Sequence, residues 1–405
     1  MSDTRKILRG VGQQAEGLYK VMVVESATDK VVYESEWQKN LILNQGMDEV
    51  AARLWCALFT YGICGTGTQP NSITSGGDTA AQVGTTVTRT GSTIDFNTDA
   101  TVGDMIKWST NEEARITSIT SAGIVEVTPS QAVTDTTFTI WKTARVGLQV
   151  EVKRSNTYLA GAGNCETLLS VATLQNRRTY DFSVESGDAT YTEVGVGWAS
   201  SAASTVFSRI LLNTPVSLVS GQRLRLVYQL NVTLSPSAST SKTLSVSGWT
   251  GNTGAECIQN LNISNVSSAG ATNVYSFGNA LDPASTNSLT AGRMFCVSTN
   301  SSALAAFGSA ANRTTTAYMC SAAPTNASYV AGSHQLDVSS TFAVADAVSA
   351  SIRSVMLGYR SSGSGYYPYD TGRQSFTFLF DSAHEKTNTQ TLSFTVRFTW
   401  SRVLA

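Results

Sequence analysis

Five carboxylates lie close together along the chain: Asp95, Asp99, Asp104, Glu112 and Glu113. Two carboxyl groups facing each other across a cleft are what glycoside cleavage requires. These five fall mostly at turns between short strands, where a carboxylate is ordinarily solvated. A Ser-His-Asp triad would have to use His334 or His384, the two histidines of the chain. His384 sits in DSAHEKTN, which reads as an exposed polar turn between strands, and no GxSxG elbow precedes a helix. Gly62, Gly65 and Gly67 give GxxGxG after a predicted helix, whereas a dinucleotide loop has GxGxxG between a strand and a helix. That order suits a backbone turn better than a phosphate cradle. The six cysteines (Cys56, Cys64, Cys165, Cys257, Cys296, Cys320) show no CxxC spacing, so they read as buried, reduced, small apolar residues. The expectation is a protein with no catalytic residues, no metal site and no cofactor.

Aromatic residues are the better candidates for recognition. Tyr359, Tyr366, Tyr367 and Tyr369 fall in GYRSSGSGYYPYDTGR, a stretch rich in Gly and Ser. Tyrosines on an adaptable loop supply large contact area at low entropic cost. They suit a receptor or a surface glycan as well as a contact between subunits, and the sequence leaves the two open. Near the end of the chain, Leu392, Phe394, Val396, Phe398 and Trp400 share one face of a long predicted strand. At a sheet edge that strand would need covering, so Phe394, Phe398 and Trp400 are candidates for a subunit interface.

The elements that must position these residues are mostly strands. Arg223 to Leu234 alternates cleanly, with Leu224, Leu226, Tyr228, Leu230, Val232 and Leu234 on one face. Thr192–Trp198, Phe207–Leu212, Gly147–Arg154 and Arg178–Val184 read as further strands, with breaks at Thr214-Pro215 and Ser220-Gly221. Leu18–Val24 and Lys30–Trp37 form a predicted hairpin that turns at Ser26–Asp29. Met47, Val50, Ala51, Leu54, Trp55 and Leu58 recur at helical spacing, which predicts one amphipathic helix over residues 45–59, capped by Asn44 with Asp48 and Glu49 in its first turn. Asn71–Gln82 reads as a linker, and the regular short strands after it predict an inserted small SH3-like β-barrel over residues 77–143. Residues 1–16 read as an N-terminal arm, either solvated or ordered on a neighbouring subunit. Residues 17–76 and 144–236 make the main sandwich, and residues 237–405 a C-terminal β-rich domain after the linker SPSASTSKT. The fold class is mainly β: antiparallel, jelly-roll-like β-sandwich domains with one helix and the inserted barrel.

Composition sets the limits. Charged residues are 14% of the 405, against roughly 25% in ordinary soluble proteins. Ser, Thr, Asn and Gly take their place, which suits neutral polar outer faces. A net charge of −1 gives no field toward nucleic acid or anionic lipid. MSDTRKILRGVGQQ lacks the apolar core of a secretion signal, and no run of about 18 apolar residues exists, so no membrane insertion is expected.

Three stretches carry a resemblance. EVGVGW with FSRILL, PVSL and SGQRLRLVYQLNVTLSP (within Tyr191–Pro236), NLILNQGMDEVAARLW with YGICGTGT (Asn40–Thr68), and FTFLFDSAHEKTNTQTLSFTVRFTWSR (Phe376–Arg402) resemble structural proteins of tailed-bacteriophage virions, in the same order along the chain. The resemblance implies a non-enzymatic virion component made in the host cytoplasm: a tail fibre or tail-attached appendage, with a capsid decoration or head-fibre protein and a glycan-binding, lectin-like module as alternatives. It also implies a homo-oligomer, a trimer by analogy with phage fibres, that contacts other virion proteins and, in attachment, a host surface glycan.

Overall fold

A computed structural model of the chain describes residues 3–159, 166–169, 173–201, 203–234, 241–243, 253–258, 292–298, 318–320, 325–326, 328–342, 350–360, 374–387 and 389–404. In chain order the strands are β1 (Asp3–Glu25), β2 (Lys30–Glu34), β3 (Gln38–Lys39), β4 (Leu41–Ile42), β5 (Tyr61–Gly65), β6 (Ser72–Thr90), β7 (Met105–Trp108), β8 (Glu113–Ser121), β9 (Ile124–Trp141), β10 (Glu151–Ser155), β11 (Glu166–Leu169) and β12 (Thr173–Asp181). There follow β13 (Ala189–Gly197), β14 (Val206–Leu218), β15 (Gln222–Leu234), β16 (Ser241–Thr243), β17 (Thr253–Ile258), β18 (Gly292–Ser298), β19 (Tyr318–Cys320), β20 (Thr325–Asn326), β21 (Gln335–Phe342), β22 (Ala350–Arg360), β23 (Gln374–Lys386) and β24 (Gln390–Arg402). Two short helices, α1 (Asn44–Glu49) and α2 (Phe96–Asp99), complete the set. The fold is mainly β and built from several antiparallel sheets, as the sequence predicts.

The largest sheet runs β11-β12-β15-β1-β24-β21-β20, with β2 and β3 also on β1. Its inner face packs on a second sheet, β10-β5-β13-β14-β4. Leu224, Leu226, Tyr228, Leu230 and Val232 of β15 meet Val194 and Val196 of β13 and Phe207 and Ile210 of β14 in one buried cluster. Burying each such side chain contributes about 1.5–3 kcal/mol. Strands β22 and β23 belong to a third sheet, β16-β17-β23-β22-β18-β19. They send Ile352 and Phe380 into the same cluster.

The first strand overturns the N-terminal arm. Residues 3–25 form one continuous strand. Gln13–Glu25 pairs antiparallel with β15, and Asp3–Ala15 pairs with β24 in the one parallel pairing among the described strands. Backbone pairing with β24 gives the arm its place. The same pairing corrects the boundary at residue 237: β24 and β21 lie in the main sheet beside β1, so residues 237–405 are not a separate core.

The predicted helix is also corrected. α1 stops at Glu49, Leu54 is extended (φ −56°, ψ 145°), and a 3-10 turn takes over at Trp55–Phe59. Packing overrides helical periodicity here. The break lets Trp55 donate from Nε1 to Gln13 Oε1 at 2.9 Å and sets Phe59 edge-on to Tyr228, with ring centroids 5.0 Å apart. Asn44 does not cap the helix; its amide donates to Gly103 O at 2.8 Å. Gly62 belongs to β5, where a Cβ would lie 2.7 Å from the Tyr180 ring. Pro215 does not end β14, because β14 has no second neighbour at that point. Of Gly147–Arg154, only the part from Glu151 onward is strand.

The Asn71–Gln82 linker is not a linker: β6 begins at Ser72 and runs to Thr90. β6, β7, β8 and β9 form their own sheet, in which β9 pairs with all three others. They enclose a separate apolar cluster that includes Phe96, Ile106, Trp108 and Phe138. The unit therefore spans residues 72–141. It is seated on the sandwich by Leu41, Leu43, Ile63, Leu148, Val206 and Leu404, against which Met105 and Trp141 pack.

Its neck is held by a buried ion pair. Glu193 is fully buried, and Arg209 is 1% exposed. Glu193 accepts from the backbone N–H of Gly67 (3.0 Å), Val150 (2.8 Å) and Gln149 (3.1 Å), and from Arg209 Nη2 (2.9 Å). Arg209 also donates to Gln69 O at 3.1 Å. One carboxylate thus ties the chain entering the unit to the chain leaving it. Burial lowers the Arg209 pKa to about 10, which still leaves it charged at neutral pH. Glu193→Gln strands that charge, and removing one partner of a buried pair costs about 3–5 kcal/mol. Urea unfolding should show a loss of that size; a change below about 1 kcal/mol would mean that the pair does not hold the neck.

Candidate binding surface

The residues singled out from the sequence do not converge. Tyr359 lies in strand β22, opposite Arg293 of β18, rather than in a loop. Tyr366, Tyr367 and Tyr369 lie outside the described residues. Phe394, Phe398 and Trp400 are 2%, 0% and 3% exposed. β24 has β1 on one side and β21 on the other, so it is no edge, and these three side chains belong to the chain's own core rather than an interface. Trp400 donates to Met47 O at 2.7 Å and stacks on Tyr329, with centroids 5.7 Å apart.

The clustered carboxylates have structural work. Asp95 accepts from Asn97 N at the start of α2, and Asp99 accepts from Asp95 N. Asp104 pairs with Lys142 at 2.6 Å and accepts from Ala144 N. His384 lies in β23, not in a turn. His334 sits 3.9 Å from Asp48, and among the described residues no serine or threonine hydroxyl is hydrogen-bonded to its ring. Cys64 is buried, and burial pushes its thiol up to about 12; Cys56 is partly buried.

A cleft of about 580 Å³ opens at one end of the sandwich, where the two sheets meet. No sequence signal marks it, because its parts come from three distant segments. After β10 the chain leaves the smaller sheet and lies against β12: Asp181 N donates to Thr157 O at 2.9 Å, and Leu159 N to Thr179 O at 3.2 Å. The start of β15 adds Arg223. Every cation at the rim has a carboxylate. Arg225 and Arg223 converge on Asp181 at 2.6 and 3.2 Å, and both also reach Asp29. Lys153 pairs with Glu185 at 2.6 Å, and Glu185 accepts from Tyr191 OH at 2.7 Å. Arg154 holds Glu151 at 2.5 Å. The hydrogen bonds that Arg225 donates to Asp181 raise its pKa, and burial raises that of Tyr191. The rim is therefore polar and charge-compensated.

Among the described residues no group of three or more His, Cys, Asp or Glu could hold a metal ion, and no helix is long and apolar enough to cross a membrane. No protein-family model, no curated protein and no solved structure matches the chain.

His334 gives a pH test. Burial, with Arg402 adding to it, lowers its pKa from 6.5 to about 4 against the opposing pull of Asp48. Between those values the unfolded chain binds a proton that the folded chain does not, so stability falls as pH drops through 6.5 toward 4. His334→Asn removes this term and tolerates the residue's φ of +48°. The melting temperature of the variant should fall less steeply from pH 6.5 to 4 than that of the native chain. Identical slopes would show that His334 is not the group being titrated.

Proposed function

We propose that the protein is a non-enzymatic structural component of a tailed-phage virion, a tail fibre or tail-attached appendage that assembles as a homo-oligomer, a trimer by analogy with phage fibres, against other virion proteins. One observation carries most of the weight. The three stretches that resemble such proteins lie far apart in sequence yet pack as one unit. β5 pairs with β13, and Leu43 N donates to Phe207 O at 3.0 Å. Arg402 donates to Ile42 O at 2.6 Å and to Asn44 Oδ1, and Trp400 donates to Met47 O. A likeness confined to one folded unit supports a shared architecture more strongly than scattered likenesses would.

The outer face of the main sheet adds support. Ser339 pairs with Thr395 at 2.9 Å and Thr341 with Ser393 at 2.7 Å, so paired neutral hydroxyls meet solvent there, next to one compensated ion pair, Arg397 with Asp337 at 2.7 Å. Such faces resist salt and can lie against neighbouring subunits with little desolvation cost. Gold-labelled antibody against the chain, imaged on purified phage particles by electron microscopy, tests the reading. Label on tail appendages is the expected result. Label on the head would move the protein to the capsid, and particles without label would end the virion reading.

A further inference from the structure

We propose that the cleft between the ends of β10 and β12 and the start of β15 binds a neutral, hydroxyl-rich ligand, a short oligosaccharide segment. What the rim can still offer decides the chemistry of the ligand. All three cations that line the cleft, Lys153, Arg154 and Arg223, are paired with carboxylates. No free positive charge remains for a phosphate or sulfate, and no free carboxylate for a cation. What remains is neutral. The side chains of Asn156 and Ser183 are exposed and have no hydrogen-bond partner in the described chain, and the Thr157 side chain is exposed beside them. Val184, 49% exposed, supplies an apolar surface next to them.

The paired groups also favour sugar. A sugar hydroxyl can accept from a guanidinium and donate to the carboxylate beside it, and the Arg223–Asp181 pair presents both at fixed spacing. The pair is already ordered, so binding costs little side-chain entropy. Part of the floor's backbone is already engaged: Thr157 O accepts from Asp181 N, Ser155 Oγ donates to Asp181 O, and Phe182 N donates to Leu224 O. The volume lies within the usual range for small-ligand sites. Phe182 is 3% exposed and offers no stacking platform, so each site binds weakly and an oligomer gains by engaging several at once.

The inference goes beyond the virion reading and does not depend on it, since sugar binding is measured on the isolated protein. The full chain is applied to an array of neutral hexose and N-acetylhexosamine oligosaccharides, sulfated heparin fragments and unstructured peptides, at low and high salt. Retention on neutral oligosaccharides, unchanged by salt, is the expected result. The Asn156→Ala/Ser183→Ala double variant should bind about tenfold more weakly with an unchanged melting temperature. Ser183→Tyr, which fills the cleft, should abolish binding. The proposal is overturned if no neutral oligosaccharide is retained, if only sulfated fragments or peptides are, or if the folded variants bind as well as the native chain.

Discussion

The backbone pairing of β1 is the constraint on which the rest of this structure depends. Its second half closes the main sheet against β15, and its first half lies parallel to β24. The changeover falls at Gln13–Ala15, which has partners on both sides. There Gln13 is nearly buried and accepts from Trp55. A strand shared in this way joins the start, middle and end of the chain in one sheet. It also explains why the last residues are so firmly held: Arg402 is buried beside α1, and Val403 N donates to Ala15 O at 2.9 Å.

Around that frame, buried charge is used as fastening rather than chemistry. Glu193 and Arg209 tie the neck of the four-stranded unit, and Asp104 with Lys142 stiffens the base of the unit itself. Each group is paired and further hydrogen-bonded, which is the condition under which a charge can be buried at acceptable cost. A protein with 14% charged residues that still buries these has placed them where two segments must stay together. The charges around the cleft follow the same rule, with Asp181 holding Arg223 and Arg225 in place while neutral groups face the opening.

Local patterns were readable and long-range pairings were not. The alternation of β15 was legible on its inner face, where Leu224, Leu226, Tyr228, Leu230 and Val232 are buried, but not on the other, where Arg225 and Val227 are buried too. The hairpin of β1 and β2 was legible from its polar turn at Ser26–Asp29, although β2 itself is exposed along its whole length. The broken helix was not, because the stripe from Met47 to Leu58 is satisfied by two short turns as well as by one helix, and only contacts with Gln13 and Tyr228 decide between them. Phe394, Phe398 and Trp400 read correctly as one apolar face, but what covers that face depends on strand order, which periodicity does not encode. The cleft left no trace in sequence at all: Asn156 and Ser183 are ordinary loop residues until β10 and β12 bring them together.

Hydrogen exchange on a chain lacking residues 1–12 tests the shared strand most directly. If β1 closes both parts of the sheet, amides of β24 lose protection, because the strand becomes an edge, while β12 and β15 keep theirs. Unchanged protection across Gln390–Thr399 would contradict the parallel pairing and return the first twelve residues to the role of a free arm.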